Sequence, residues 1–473
     1  MSMQLTLQQA VTWITGARML EQSGDVSVAR VHTDTRTVES GDLFVALKGE
    51  RFDANDFLQE AQQRGAVAAL CHLGAARSVP GLPCIEVADT RVALGQLATA
   101  WRAQFAVPLI AVTGSNGKTT VTQMVAAILD AYCPNATSLA TRGNLNNDIG
   151  VPLTLLRLRP EHTMAVVELG MNHPGEIATL SAMAQPTVAL VNNAQREHLE
   201  FMHTLDAVAQ ENGSVIEALG ATGVAVLPAD DDFTSFWRKL AGVRRVATFS
   251  LGEAVSAVHL ACVSARWESD AWAVHAVGMG AELRYRLSVA GQHNVKNSLA
   301  AAACALAAGV APDAVARGLE AFVPVKGRSR ALALQINQRN CTLVDDTYNA
   351  NPDSVRAAID VLAELPGPRL LVLGDMGEVG SQGPQFHAEA GHYAQESGIE
   401  HVLTLGVLAR HAADNFLGAR HFDTIDDLNP VACMALAAVN SVLVKGSRFM
   451  RMERVVDALL SHVQNTKETV HAA

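Results

Sequence analysis

The stretch Leu109-Ile110-Ala111-Val112-Thr113-Gly114-Ser115-Asn116-Gly117-Lys118-Thr119-Thr120 decides the fold. It opens as an apolar strand, passes through a tight glycine loop and runs into a helix. Val121, Met124, Val125, Ile128 and Leu129 recur at helical spacing, so that helix has one apolar face. The glycines let backbone N–H groups of Gly114, Ser115, Asn116 and Gly117 curl around a phosphate, and the helix N-terminus at Thr119 and Thr120 adds partial positive charge. Lys118 is long enough to reach terminal phosphates, and the Thr119 hydroxyl can hold Mg²⁺. The usual spacing of such loops puts a first glycine where this chain has Val112, so the loop is a short one. The segment predicts a site for ATP or GTP.

Working outward, the chain has 473 residues, of which 49% are hydrophobic and 18% charged, enough for about three packed domains. A formal net charge of −11 excludes a broadly basic nucleic-acid surface. A nucleotide must instead meet local positive charge. The longest apolar run, Leu299 to Ala308, is too short to span a bilayer, and no leader-like pattern opens the chain. Seven scattered cysteines without a C-x-x-C pair fit reduced thiols. A cytoplasmic monomer, without nucleic acid or membrane insertion, is the expectation.

Apolar strands alternate with helical patterns along most of the sequence, which predicts an α/β protein. A small N-terminal α/β domain is expected over residues 1–95, with strands near Leu43–Leu47 and Ala66–Cys71. A central P-loop mononucleotide-binding domain with a parallel sheet follows over 96–322. Its strands are expected at Leu109–Val112, Met164–Val167, Val188–Val191 and Val224–Leu227, with a more antiparallel segment from Val255 to Val289. A C-terminal Rossmann-like domain spans 323–473, with strands at Thr342–Val344, Leu370–Leu373, His401–Leu405 and Val442–Val444. The residues from about Asn465 read as a polar tail. In open α/β sheets ligands sit beyond the carboxyl ends of the strands. Two such sheets predict a cleft between domains.

Several polar residues fall at those strand ends. Glu168 can bind the Mg²⁺ of a nucleotide, or simply cap a helix. His198 follows the next strand, either as a structural histidine or as a functional one. Asn294 and Asn297, one turn apart, can face one ligand, or Asn294 can be an N-cap. Asp345-Asp346 can take ribose hydroxyls or a cation, or form a polar turn. Arg328 and the cations of Lys445-Gly446-Ser447-Arg448 can bind phosphate or carboxylate, or stay in solvent.

In this order the motifs resemble those of the Mur ligases, ATP-dependent enzymes that build the peptide of bacterial cell-wall precursors. The short Gly-x-x-Gly-Lys-Thr loop, Glu168, His198, Gly291-x-His293-Asn294-x-x-Asn297, Gly327-Arg328 and Asp345-Asp346 carry the resemblance over nearly the whole chain. Asp-Asp-Thr-Tyr-Asn-Ala-Asn-Pro from Asp345, Leu373-Gly374-Asp375-Met376-Gly377-Glu378, Lys445-Gly446-Ser447-Arg448 and Thr141-x-Gly143-Asn144-x-Asn146-Asn147 look like the D-alanyl-D-alanine-adding members.

That resemblance implies peptide-bond formation between UDP-N-acetylmuramoyl-tripeptide and D-Ala-D-Ala through an acyl phosphate, with ATP and Mg²⁺. It implies catalytic roles for Lys118, Glu168, His198 and Arg328, and metal roles for Thr119, Glu168 and His198. Asn297 would read adenine, Arg328 the phosphates and Asp346 the ribose, with Asn294 beside them. Thr35 and Arg36 would meet the uridine part. Lys445, Ser447 and Arg448 would hold the dipeptide end, and Asn144, Asn146, Asn147, Tyr348 and Asn349 complete the substrate side.

One departure stands out. The family carries a carbamylated lysine downstream of the histidine, and the matching position here is Asn212. The expectation is that Glu211 or a water takes its place. The run Gln195-Arg196-Glu197 before His198 is also unusual. Rival readings are another Mur ligase, a folylpolyglutamate synthase-like ligase, or a P-loop nucleotide switch. The absence of an Asn-Lys-x-Asp guanine-reading motif argues against a GTP switch.

Overall fold

The structure, a computed structural model, describes residues 3–19, 26–252, 256–268, 271–336 and 339–471, with side chains described as far as 464. Val255, where the antiparallel segment was expected to begin, lies outside the described residues.

The strand Leu109–Thr113 sits inside a nine-stranded sheet, between Val188–Val191 and Met164–Glu168. Both neighbours run parallel to it. Leu109 and Ala111 face one core while Ile110 and Val112 face another, as the two-residue period of a strand requires. Such a strand is covered on both faces and reads as a continuous apolar run. The helix Lys118–Tyr132 packs its predicted face, Val121, Met124, Val125, Ile128 and Leu129, into the second of those cores.

Toward one edge the sheet turns antiparallel through His259–Glu268, Ala271–Gly278 and Ala281–Leu287. The last strand buries Ala281, Leu283, Tyr285 and Leu287 and exposes the charged residues between them. Its hairpin turns at Met279 and Gly280, which have φ values of 52° and 75°. Two positive φ values match the right-handed twist of the flanking strands.

The C-terminal block forms a six-stranded sheet with Ser441–Lys445 between Arg339–Asp346 and Arg369–Gly374. Leu370 and Val372 face one core, Leu371 and Leu373 the other. The N-terminal block holds a five-stranded sheet containing Asp42–Val45 and Ala68–His72, close to the expected strands, and a separate strand pair. The chain therefore has the α/β architecture expected of it, with one larger sheet in each block and a two-stranded pair beside the first.

The boundary placed near residue 95 falls within the helix Thr90–Arg102. Leu94 and Leu97 of that helix share one core with Leu43 and Leu70 on one side and Leu155 and Leu180 on the other. The expected polar tail is instead helical: the last helix runs Glu453–His471, anchored by buried Val455, Val456 and Leu459. Among the described residues no helix is long and apolar enough to cross a membrane.

Candidate active site

The carboxyl ends of the central strands and of two C-terminal strands face each other across one cavity of about 1280 Å³. Its walls include Ser115–Thr120, Asn144, Asn146, Asn147, Glu168, Glu197, His198, Asn294 and Asn297 from the central domain. Arg328, Asp346, Tyr348, Asn349 and Lys445 come from the other side. The predicted cleft and most of the predicted site residues are thus brought together.

The loop is held open by its neighbours. Gly117 sits at φ +82°, and a Cβ there would come within 2.5 Å of Asn297 Oδ1 and 2.7 Å of Asn192 Nδ2. Glycine is therefore required on both steric and conformational grounds. Asn192 Nδ2 donates to the Asn116 carbonyl at 2.8 Å and to Asn297 Oδ1 at 3.0 Å, and Asn297 Nδ2 donates to Asn294 Oδ1 at 3.0 Å. Asn294 Nδ2 in turn donates to the Ala290 carbonyl at 2.7 Å. In this arrangement Asn294 is not an N-cap, since Gly291 holds that position and the helix runs Gln292–Ala307. The three amides form a chain that braces the loop from behind.

Lys118 is mostly buried. Its Nζ donates to the carbonyls of Gly114 and Ser115 at 2.7 and 3.0 Å and pairs with Glu197 Oε1 at 2.7 Å. Thr119 Oγ1 donates to Glu168 Oε1 at 2.9 Å, and Asn146 Nδ2 donates to the same oxygen at 2.8 Å. Glu168 Oε2 is buried and has no hydrogen-bond partner among the described residues. Among those residues no group of three or more His, Cys, Asp or Glu surrounds a metal position. Mg²⁺ at nucleotide sites needs no such cage: it is held by one or two protein oxygens, phosphates and water. The Thr119 hydroxyl beside an unpaired Glu168 oxygen fits that donor set.

His198 joins the two domains. It has φ +50°, and its ring lies between Glu197, at 3.4 Å from Nε2, and Glu378 of the C-terminal domain, which contacts Nδ1. Burial works against a charged ring, but the two carboxylates outweigh it and raise the His198 pKa to about 9. The same contact, its largest cause, lowers the Glu378 pKa.

Asp346 and Lys445 end adjacent parallel strands in direct register, which sets their side chains 2.6 Å apart. Lys445 Nζ also donates to the Asn349 carbonyl at 2.9 Å, and Asp346 Oδ1 accepts from the Ser329 N–H at 2.9 Å. Burial pushes the Asp346 pKa up, and the Lys445 ammonium more than offsets it, so the net shift is downward. Arg328 lies 4.0 Å over the Tyr348 ring and lines the cavity. Arg448 stands farther from that ring, at 5.8 Å, and pairs with Glu453 at 3.2 Å. Ser447 Oγ bridges Ala350 and Gly377. Neither Ser447 nor Arg448 lines the cavity. Thr35 and Arg36 lie outside it as well, on a short turn of the N-terminal domain where Arg36 pairs with Asp34 at 2.6 Å.

Glu211 does not stand in for the missing carbamate. Its carboxylate accepts from the Gly175 and Ile177 N–H groups at 2.8 and 2.7 Å, capping the helix Glu176–Ala184. Free N–H groups at a helix start attract such an anion, and Glu211 is not among the residues that line the cavity.

The sequence marks the run Gln195-Arg196-Glu197 as unusual but gives no role for Arg196. Its guanidinium pairs with Asp353 at 2.7 Å and Glu389 at 3.0 Å, and its backbone N–H donates to Asp353 at 2.8 Å. Asn351 adds a link to Asn116 of the loop at 2.9 Å. These contacts close the C-terminal domain onto the loop. Arg196→Ala is expected to raise the KM for nucleotide about tenfold, the loss of roughly one charge-assisted hydrogen bond. Small-angle scattering should show a more expanded particle, and unchanged KM and dimensions would contradict this role.

A P-loop cradle, a buried carboxylate beside its threonine and a second α/β domain closing over both define a nucleotide-dependent enzyme with its site between domains. Models of the Mur ligase family, catalytic domain, the Mur ligase middle domain and the Mur ligase, glutamate ligase domain match residues 27–102, 112–305 and 327–448. The UDP-N-acetylmuramoyl-tripeptide--D-alanyl-D-alanine ligase of Escherichia coli (strain K12) is 42% identical over 451 residues, covering 93% of this chain and 95% of the relative. The Haemophilus influenzae protein of the same name is 38% identical, covering 93% and 95%. The crystal structure of MurF from Acinetobacter baumannii superposes with a TM-score of 0.87 at 36% identity, covering 96% of this chain and 98% of that one. The chain belongs to the Mur ligase family.

Proposed function

We propose that this protein joins D-alanyl-D-alanine to UDP-N-acetylmuramoyl-tripeptide with cleavage of ATP to ADP and phosphate, in the cytoplasm and as a monomer. The observation that carries the reading is the convergence of Lys118, Thr119, Glu168 and His198 with Arg328 and Asp346 in one interdomain cavity. The relatives named for this reaction match over nearly the full chain.

In this reading the terminal carboxylate of the tripeptide attacks the γ-phosphorus of ATP, giving an acyl phosphate and ADP. The amine of the dipeptide attacks the acyl carbon to form the C–N bond and gives up a proton to solvent, and the tetrahedral intermediate collapses by breaking the C–O bond to phosphate, which leaves. Phosphoryl transfer of this kind is governed by positioning and charge. Lys118 leaves its loop carbonyls for the phosphates, and the loop N–H groups orient them. Arg328 reaches the phosphates from the opposite domain, Asp346 accepts from the ribose hydroxyls, and Asn294 and Asn297 hold the loop and border the base. Thr119 and Glu168 would hold one Mg²⁺ and His198 a second, and these ions would supply charge neutralisation on the transferring group. Asn144, Asn147, Tyr348 and Asn349 face the tripeptide with Asn146 beside Glu168, Lys445 holds Asp346, Arg448 lies beyond the cavity lining toward the dipeptide side, and Thr35 and Arg36 would meet the uridine.

The test is phosphate release from ATP with the tripeptide nucleotide, with and without D-Ala-D-Ala. Release that needs both, with a pentapeptide product by mass, is the expected result. Release with a single amino acid instead would reassign the protein to another ligase of the family.

A further inference from the structure

We propose that Glu197 is a metal ligand of this site, supplying beside His198 the negative charge that Asn212 cannot. The proposal rests on the ligase reading above and assigns one more residue to it.

Asn212 is fully buried and neutral. Its Oδ1 accepts from Thr113 Oγ1 at 2.7 Å and its Nδ2 donates to the Val208 carbonyl at 3.1 Å. Both ends of the amide are therefore engaged behind the loop strand. Glu211, next to it, caps a helix. Neither offers an oxygen to the cavity.

Glu197 does. Its side chain is 7% exposed, it lines the cavity, and its Oε2 is buried without a hydrogen-bond partner among the described residues. Its Oε1 lies 2.7 Å from Lys118 Nζ and 3.4 Å from His198 Nε2. The backbone is pinned on one side by the Arg196 N–H on Asp353 and on the other by the His198–Glu378 contact. The carboxylate cannot swing into solvent while the domains are closed.

A nucleotide changes the charge balance at this point. Phosphates draw the ammonium of Lys118 toward themselves, which removes the cation nearest Glu197 and brings further negative charge close to it. A buried carboxylate facing phosphates without a cation is strongly unfavourable. A divalent ion between Glu197 and the phosphates resolves both, and a hard oxygen donor with one free oxygen suits it. Thr119 and Glu168 already form the other donor set, so Glu197 belongs to a second position on the His198 side.

Mn²⁺ in place of Mg²⁺ tests this in the whole protein, with a β,γ-imido analogue of ATP bound and free Mn²⁺ followed by electron paramagnetic resonance. Two ions per wild-type chain are expected. Glu197→Gln should keep the first at unchanged affinity and weaken the second at least tenfold, with Glu197→Asp between the two, and thermal melting should confirm that all three are folded. Glu197→Gln retaining two ions at wild-type affinity overturns the proposal and leaves Glu197 as a partner of Lys118 alone. One ion in the wild type, with ATP-dependent ligation intact, overturns it while the ligase reading stands. No nucleotide-dependent ion and no ligation overturns both.

Discussion

Replacing Lys118 with methionine is expected to lower the rate of ATP-dependent phosphate release by about 10³-fold, the scale of losing one aimed charge at a reacting centre. Methionine keeps the apolar stem and removes the ammonium. In the free protein that ammonium bonds two loop carbonyls and Glu197. It therefore waits at the mouth of the loop, and a bound phosphate draws it off those carbonyls and off Glu197. The substitution has a second consequence, because Glu197 is left buried without its cation. Breaking one side of such a pair costs about 3–5 kcal/mol. The double variant Lys118→Met with Glu197→Gln should recover most of that stability and none of the rate. Stopped-assay phosphate release and thermal melting of the four proteins in the cycle separate the two effects. Recovery of rate in the double variant would show that Lys118 acts only by neutralising Glu197.

The elements that could be read from the sequence are those whose burial is two-sided. Leu109–Thr113, Val188–Val191 and Ser441–Lys445 carry the unbroken apolar runs Leu109–Val112, Val188–Val191 and Val442–Val444, and each is an interior strand buried along its length. The strands that escaped notice have exposed or mixed faces. Arg330–Ile336 is an edge strand with mostly exposed residues, and Arg420–Phe422 is a three-residue edge. Arg245–Ser250 begins with a charge and holds Thr248 and Ser250, whose hydroxyls bond the buried His259.

The site shows the same division. Lys118, Thr119 and Glu168 were legible because each stands at a fixed offset from a strand end, and strand ends are where ligands gather. Contacts across the fold left no local trace. Asn297 meets Asn192 from a distant helix, and Arg196 meets Asp353 and Glu389 from another domain. Glu211 illustrates the limit most clearly. Its place next to Asn212 suggested a shared role, but neighbours on a helix point about 100° apart, and Glu211 turns to a helix start while Asn212 turns to the loop strand.

Lys445 poses a sharper question, because it was read as a substrate contact and is found in a buried pair. Lys445→Met is expected to destabilise the C-terminal domain by about 3–5 kcal/mol, since Asp346 would keep its charge in a closed environment. The two residues are register partners on adjacent parallel strands, with Lys445 4% and Asp346 15% exposed at the cavity wall, so the loss of one leaves the other charge poorly solvated. All five tryptophans lie before residue 273, outside this domain, so fluorescence would miss the change. Hydrogen exchange by mass spectrometry, read at Arg339–Asp346 and Ser441–Lys445, should show lost protection there and little change in Leu109–Thr113. Lys445→Met combined with Asp346→Asn should restore protection, because a neutral pair no longer strands a buried charge. It should not restore nucleotide affinity if Asp346 accepts from the ribose, and the KM for ATP should stay raised about tenfold, as for one lost hydrogen bond to a charged group. Were Lys445 instead a substrate contact alone, the single variant would keep wild-type exchange and raise only the KM for D-Ala-D-Ala. The pair is thus expected to act as one unit: Lys445 holds the Asp346 carboxylate ionised and aimed into the cavity, and Asp346 meets the nucleotide.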